Sequence, residues 1–309
     1  MIVYRELSSL ERDLGFSAKT LYGLSNHIER HYRRVEIPKR SGGTRTLSVP
    51  DAVLKSVQRR IAQVLLTQMP ISGCARAYRD CSSVLDNARP HIGKPAVLKL
   101  DILRFFDSVR YSTVKDAAFP AWKYSEPLRI LLTMLCYDHD SLPQGAPTSP
   151  AISNILLCGF DQRIGAWCRG RGIAYTRYCD DMTFSGGFDA AEVVSQVQTE
   201  LGKLGLLLNR QKTRLQRPGT RQSVTGVVVN EKAHTPAEYR RRLRQELYYC
   251  QKYGVASHLK KIECPDTAEL YIRRLLGRVN FALQIDPSDR ALQRARAWLT
   301  EQQSRGVPR

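Results

Sequence analysis

Tyr178-Cys179-Asp180-Asp181 decides how this chain is read. The two adjacent acids stand between an apolar-aromatic run (Ile173, Ala174, Tyr175, Tyr178) and a second run (Met182, Thr183, Phe184) that closes on Gly186-Gly187. Strand, two-residue turn, strand is the pattern, which predicts a hairpin with the carboxylates at its tip. Adjacent aspartates repel, so the pair is costly unless a polyvalent cation neutralises it, and hard oxygen ligands suit Mg²⁺. A third acid, Asp101, ends the run Val97-Leu98-Lys99-Leu100. Three carboxylates on neighbouring strand ends can hold two metal ions roughly 3.5–4 Å apart, an arrangement for in-line phosphoryl transfer. A solvated turn is the ordinary alternative for a lone Asp-Asp pair, but it leaves the remaining patterns of the chain unaccounted for.

Composition points to the substrate. The chain has 309 residues, with 48 Lys+Arg against 29 Asp+Glu and a formal net charge of +19. Such an excess fits a polyanion, because each neutralised phosphate releases condensed counterion. Charge alone does not separate RNA from DNA or from acidic lipid. With 42% hydrophobic residues the chain can bury a substantial core, which excludes a disordered basic tail. None of the eight cysteines forms a Cys-x-x-Cys pair or alternates with histidine at metal-ligand spacing, so free thiols in a reducing compartment are expected. The start, Met1-Ile2-Val3-Tyr4-Arg5-Glu6, carries charge where a signal peptide needs an apolar core. No stretch approaches membrane-spanning length, so the expected location is cytoplasmic, with no membrane partner.

Residues 1 to about 35 read as helical, with Leu10, Leu14, Leu21, Leu24 and Ile28 spaced for an apolar face. Ile37 to Leu47 reads as a basic β-hairpin across Gly42-Gly43, and Leu54, Val57, Ile61, Val64 and Leu65 as a second helix. Residues 97–109 and 173–185 are strand candidates. Leu142 to Pro147 is a loop, after which Ser149 as N-cap and Pro150 at the first helical position open a helix. Residues 190–208 are an amphipathic helix, and Val224 to Val229 is another strand. From Thr235 the character turns to basic helices carrying Arg240, Arg241, Arg242 and Arg244, with the sharpest boundary near residue 232.

The order of these patterns resembles the right hand of reverse transcriptases. Leu100-Asp101-Ile102-Leu103-Arg104-Phe105-Phe106 is similar to the family's first catalytic motif, Leu142 to Pro150 to its second, and Tyr178 to Asp181 to its third. Asn209-Arg210-Gln211-Lys212-Thr213 resembles the motif that supplies a late lysine. The resemblance implies an α+β right-hand polymerase: fingers at 1–95, a palm with an antiparallel sheet at 96–232, and a basic helical thumb at 233–309. Within the family, Asn87-Ala88-Arg89-Pro90-His91 and Val224-Thr225-Gly226 resemble elements of bacterial retron reverse transcriptases. Cys179 stands where many retron enzymes carry alanine and adds an oxidisable thiol beside the metals.

What the resemblance implies for single residues is as follows. Asp101, Asp180 and Asp181 are the metal ligands, with the backbone carbonyl of Ile102 joining them. Two Mg²⁺ ions would then serve the primer hydroxyl and the leaving pyrophosphate. Lys39 and Arg45 resemble the cations that clamp the incoming triphosphate, with Arg40 able to substitute for Lys39. A solvated basic hairpin is the alternative. Phe106 lies where the family places an aromatic against the nucleotide sugar, selecting deoxynucleotides, while Phe105, expected on the opposite face of a strand, fills the core. Gln144 and Gly145 border the nucleotide and template, with Gly145 allowing close backbone approach. Lys212 protonates or pairs with the pyrophosphate, or is a surface lysine. Asn87 and His91 take a structural or RNA-contacting role, and Val224, Thr225 and Gly226 lie near the primer end. Gly226 marks a bulge or close approach. Arg240 and Arg244 share a helix face expected to meet RNA.

The implied function is RNA-directed DNA synthesis by a retron. The enzyme copies part of its own structured non-coding RNA from a 2′-hydroxyl primer into a branched RNA–DNA, using dNTPs, in defence against phage and with a co-encoded effector protein. No ribonuclease H module or maturase extension is evident. Another defence-associated or group II intron-like reverse transcriptase, or a non-catalytic RNA-binding protein on a polymerase scaffold, are the alternatives.

Overall fold

The computed structural model describes residues 3–38 and 42–304. The N-terminal helical pattern breaks sooner than its leucine spacing suggests. Gly15, at φ 75°, ends α1 (Leu7–Leu14), and the Ser17 side chain caps α2 (Ala18–Asn26) by accepting the Thr20 amide. From Tyr32 the chain is extended: β1 (Tyr32–Pro38) pairs antiparallel with β2 (Thr44–Pro50), Ile37 opposite Arg45. Asp51 accepts the Leu54 amide and starts α3 (Ala52–Val64), which buries Leu54, Val57 and Ile61.

A capping box between Ser83 and Asp86 begins the short α4 (Val84–Ala88). The apolar run expected to stay extended to 109 yields only β3 (Val97–Asp101). Arg104, at φ 44°, turns the chain into α5 (Phe105–Ser108), so Phe105 and Phe106 sit on a helical turn rather than a strand. There follow α6 (Tyr111–Ala118), α7 (Glu126–Cys136), α8 (Ser149–Leu156) and α9 (Cys158–Arg169). The cap of α8 is Thr148, one residue earlier than expected; the Ser149 hydroxyl donates instead to the Pro143 carbonyl at 2.7 Å. The acidic hairpin is β4 (Ala174–Tyr178) and β5 (Asp181–Ser185). Next come α10 (Ala190–Gly202), shorter than its pattern, and β6 (Arg214–Gln216). The expected strand at 224–229 is a tight hairpin, β7 (Ser223–Val224) and β8 (Val227–Val228). Four helices close the chain: α11 (Ala237–Tyr253), α12 (Val255–Lys261), α13 (Ala268–Ile285) and α14 (Arg290–Ser304).

One sheet decides where the acids go. Its strand order is β4-β5-β3-β6, so the end of β3, carrying Asp101, lies beside the start of β5, carrying Asp181. The α+β class with an antiparallel hairpin is as expected.

Compactness divides the chain differently from the three-part division at 95 and 232. One unit comprises Met1–Ser82 with Leu98–Leu215, the other Ser83–Val97 with Gln216–Arg309. The first holds a continuous core including Leu54, Leu100, Leu132, Ile152 and Phe184. In the second, Leu243, Leu247, Ile272, Leu275, Val279 and Leu299 pack the helices. Residues 83–97 join that unit because Ala88 and Val97 pack with Val224, Val227 and Val229, and the Gly93 amide donates to the Val229 carbonyl at 2.9 Å.

Candidate active site

The tip of the β4–β5 hairpin is Cys179-Asp180, closed by the Tyr178–Asp181 pair. Cys179 takes φ 61°. A left-handed conformation costs an L-residue other than glycine roughly 1–2 kcal/mol, so neighbouring bonds must hold it. One does so from inside: Arg177 donates from Nη1 to the Cys179 carbonyl at 2.7 Å. Another ties the tip to β3, since the Ile102 amide donates to the Asp180 carbonyl at 3.3 Å. Cys179 is buried, and burial followed by the Asp180 charge pushes its thiol up to about 12. That thiol stays protonated at neutral pH and is a poorer target for oxidation than the sequence suggested.

Around this tip the three acids converge. Asp101 is buried, its Oδ1 accepting the Asn209 side-chain amide at 3.2 Å and its Oδ2 the Lys212 ammonium at 2.9 Å. Burial, then the charges of Asp180 and Asp101, pushes the Asp181 carboxyl up to about 6. Asp181 nevertheless keeps an exposed surface, so water softens the burial part and the facing carboxylates are the firmer cause. Asp180 is raised as well, by burial and then by Asp101. The hydrogen bond to Asp101 raises Lys212.

Among the described residues, no three His, Cys, Asp or Glu side chains already stand as a metal-holding group. The donor set nevertheless fits hard divalent ions. Carboxylates close enough to push each other's pKa up are short of positive charge, and Lys212 supplies only one unit of it. Asp101, Asp180 and Asp181 would hold such ions once Lys212 gives way.

The other expected site residues fall into three groups. Gly145, at φ 119°, meets close backbone as expected, but from within the chain: an added Cβ would lie 3.0 Å from the Ser48 carbonyl oxygen. The Ser48 amide also donates to the Gln144 carbonyl at 2.8 Å, fastening β2 to this loop. Arg45 is exposed on β2, whereas Lys39 and Arg40 lie outside the described residues. Phe106 is half-buried, its ring edge-on to buried Phe105 with centroids 5.2 Å apart.

The residues expected to meet RNA are placed otherwise. Asn87, His91 and Val224 are 1%, 0% and 0% exposed, which leaves them a structural role. Asn87 donates from Nδ2 to the Thr225 hydroxyl at 3.3 Å. Thr225 and Gly226 form the two-residue turn of the β7–β8 hairpin, at φ 45° and 83°, the signature of a type I′ turn. Gly226 has open space within the chain where a Cβ would stand, so its positive φ serves the two-residue turn and no bulge is formed there. Arg240 donates to the Thr235 carbonyl at 2.7 Å, and Arg244 lies 3.6 Å from Asp289.

Sequence reasoning missed the second ring of this site. Asn209 holds Asp101 twice, since its backbone amide also donates to the Asp101 carbonyl at 2.8 Å. Arg177, flanked by apolar strand residues, was a visible signal: a lone guanidinium in a buried strand needs a carboxylate. Its partner is Asp161 on α9, and both side chains are 0% exposed. Tyr78, a half-exposed ring at φ 56° beside Cys179, gave no signal.

A family model described as reverse transcriptase (RNA-dependent DNA polymerase) matches residues 37–239. The chain is 36% identical over 309 residues to the Retron Mx65 reverse transcriptase of Myxococcus xanthus, covering 88% of this chain and 71% of that one. It is 31% identical to the Retron Mx162 reverse transcriptase of the same organism, covering 91% of this chain but only 64% of the relative. It is also 31% identical to the Retron Ec83 reverse transcriptase of Escherichia coli, with 84% of each chain covered. In fold alone, an apo telomerase from Candida tropicalis aligns with a TM-score of 0.51 at 12% identity, covering 89% of this chain and 58% of that one.

Proposed function

Since the chain belongs to the reverse transcriptase family, and within it to the retron reverse transcriptases, we propose that it copies part of its own structured RNA into DNA. Priming would come from the 2′-hydroxyl of a guanosine in that RNA, giving a branched RNA–DNA product that serves defence against phage alongside a co-encoded effector. The observation that carries the catalytic part is the convergence of Asp101, Asp180 and Asp181 at the ends of the two central strands of the sheet, β3 and β5, with Lys212 on Asp101. Two Mg²⁺ ions held by these carboxylates would supply charge neutralisation and alignment for phosphoryl transfer.

The chain's own residues do the rest. Ile102 fixes the hairpin tip against β3 through its amide. Asn209 orients Asp101, and Lys212 balances its charge until substrate arrives. Arg45 and Lys39 are placed by this proposal on the triphosphate, Phe106 on the sugar, and Gln144 with Gly145 along the nucleotide. The net charge of +19 favours RNA and DNA partners. No helix among the described residues is long and apolar enough to cross a membrane. A cytoplasmic setting is part of the proposal and is supported by eight cysteines that all carry free thiols.

Asp180→Asn tests this directly. Divalent-dependent extension should fall by at least about a thousandfold while RNA affinity stays within about twofold. Near-normal extension would remove the metal-ligand assignment.

A further inference from the structure

Among the described residues Arg177 is the largest fully buried side chain, and its guanidinium grips the catalytic turn. Its planar fork has two sides. On one, Nε lies 2.9 Å from Asp161 Oδ1 and Nη2 2.7 Å from Asp161 Oδ2. On the other, Nη1 donates to the Cys179 carbonyl at 2.7 Å and to Asn154 Oδ1 at 3.3 Å. Asp161 is itself held by the Tyr175 hydroxyl at 2.7 Å, and Asn154 donates to the Ala77 carbonyl at 2.9 Å. The Arg177 backbone is clasped as well, its amide donating to the Cys74 carbonyl at 2.8 Å and its carbonyl accepting the Arg76 amide at 2.7 Å.

We propose that Arg177 is a positioning residue for the catalytic turn: anchored on Asp161, it holds the Cys179 carbonyl and so fixes the left-handed backbone from which Asp180 projects. The role of Asp180 rests on the polymerase reading above; the holding of the turn does not. A core ion pair kept for packing alone would need no third arm. Replacing such a pair by apolar residues of similar volume is often neutral, whereas here it would release a carbonyl inside the turn. Lysine would not substitute, because a single ammonium cannot span Asp161 and the Cys179 carbonyl with fixed geometry. Cys179 adopts φ 61° without being glycine, so its conformation depends on bonds such as this one.

Cys179 itself reports on the turn. It is 8% exposed, while Cys136 and Cys168 lie in the core of the same unit at 0% and 1%. The full chain and its Arg177→Lys variant are treated with iodoacetamide, and modification of each cysteine is followed by peptide mass spectrometry. Faster labelling of Cys179 in the variant by at least about tenfold, with Cys136 and Cys168 at wild-type rates, is expected from local opening of the turn. Labelling of Cys179 at the wild-type rate, or in step with Cys136 and Cys168, overturns the proposal, because Arg177 would then serve only global stability. Should Arg177→Lys not fold, the double change Arg177→Met with Asp161→Leu removes the ion pair without stranding a charge, and the same two outcomes decide. No nucleotide or RNA enters the measurement, so failure of the polymerase reading and failure of the positioning role are told apart.

Discussion

The Lys212 ammonium lies 2.9 Å from the Asp101 carboxylate, and the Asn209 amide takes the other carboxylate oxygen at 3.2 Å. A cation therefore already sits where the three acids converge. It is mobile enough to yield, since the Lys212 side chain is 61% exposed. Lys212 thus has two separable capacities: competing with a metal for Asp101 and, once displaced, meeting the departing pyrophosphate.

Lys212→Met separates them. Without the competing ammonium, divalent ions should bind the site roughly two- to fivefold more tightly, the scale of a partly exposed ion pair. Turnover should still fall, by roughly a hundredfold or more if Lys212 donates a proton to the leaving group. Mn²⁺ titration followed by paramagnetic resonance, beside single-turnover extension, reads both. Weaker metal binding in the variant would contradict the competition.

The raised acid gives a pH dependence whose sign is fixed. Asp181 titrates near 6 in the fold against an ordinary 3.8, so between those values the native state binds more protons than the unfolded chain. Stability of the metal-free protein through this group is therefore greatest below about pH 4 and declines as pH rises through about 6. Asp181→Asn should melt higher than wild type at pH 7.5 without metal, and the difference should shrink at pH 5. Added Mg²⁺ should narrow it as well by stabilising only the wild type. Melting curves of both proteins at the two pH values check this, and a variant less stable at pH 7.5 would contradict it.

Legibility in the sequence followed the range of the interaction. The β4–β5 hairpin was readable because apolar runs on both sides flank a short acidic tip, a local pattern. Ser149 lies inside α8 rather than at its cap, and its hydroxyl donates to the Pro143 carbonyl, which only the folded loop brings near. The extended reading of 97–109 failed at Arg104, whose left-handed backbone no apolar pattern announces. The burial of Asn87 and His91 is not legible in their pattern; for Asn87 its partner Thr225 lies on a hairpin more than a hundred residues later. Asp161 and Arg177 are sixteen residues apart, and only the folded α9–β4 connection brings them together.

Phe106→Ala should admit ribonucleotides. The ring is half-buried against Phe105, so truncation costs roughly 1–3 kcal/mol, less than for a full core phenylalanine. The ratio of kcat/KM for dNTP over rNTP should drop by roughly ten- to a hundredfold. An unchanged ratio would return Phe106 to the core alone.

Asn87→Ala should destabilise the unit that contains it without weakening RNA affinity below its melting temperature. The buried amide braces Thr225 in a left-handed turn, and losing such a bond costs about 1–3 kcal/mol. Denaturant unfolding and RNA binding, measured on the same preparation, distinguish bracing from contact. Unaltered stability with lost affinity would restore the contact role.

The basic helix α11 carries the last expectation, revised by its partners. Its buried stripe is Leu243, Leu247 and Cys250. Arg240 is turned to the Thr235 carbonyl, Arg242 pairs with Glu238 at 2.7 Å, and Arg244 faces Asp289. For Arg241 no hydrogen bond or ion pair is found among the described residues, and the exposed residues Arg241, Gln245, Tyr248 and Lys252 recur at helical spacing along α11. Tyr248 is 52% exposed with the Lys252 ammonium 5.4 Å from its ring centre, a pairing suited to a base and its phosphate. Arg241→Ala with Lys252→Ala should therefore lower the log–log salt slope of RNA binding by about two, one per lost phosphate contact. Arg240→Ala with Arg244→Ala should lower it by less than one, because Arg244 faces the Asp289 carboxylate and Arg240 is turned back to the Thr235 carbonyl, whereas the Lys252 ammonium donates to the neutral Tyr248 hydroxyl at 2.9 Å. Binding isotherms across a salt series compare the two pairs. A larger loss from the second pair would mean that RNA displaces Thr235 and Asp289 as partners and that the opposite face of α11 is the solvated one.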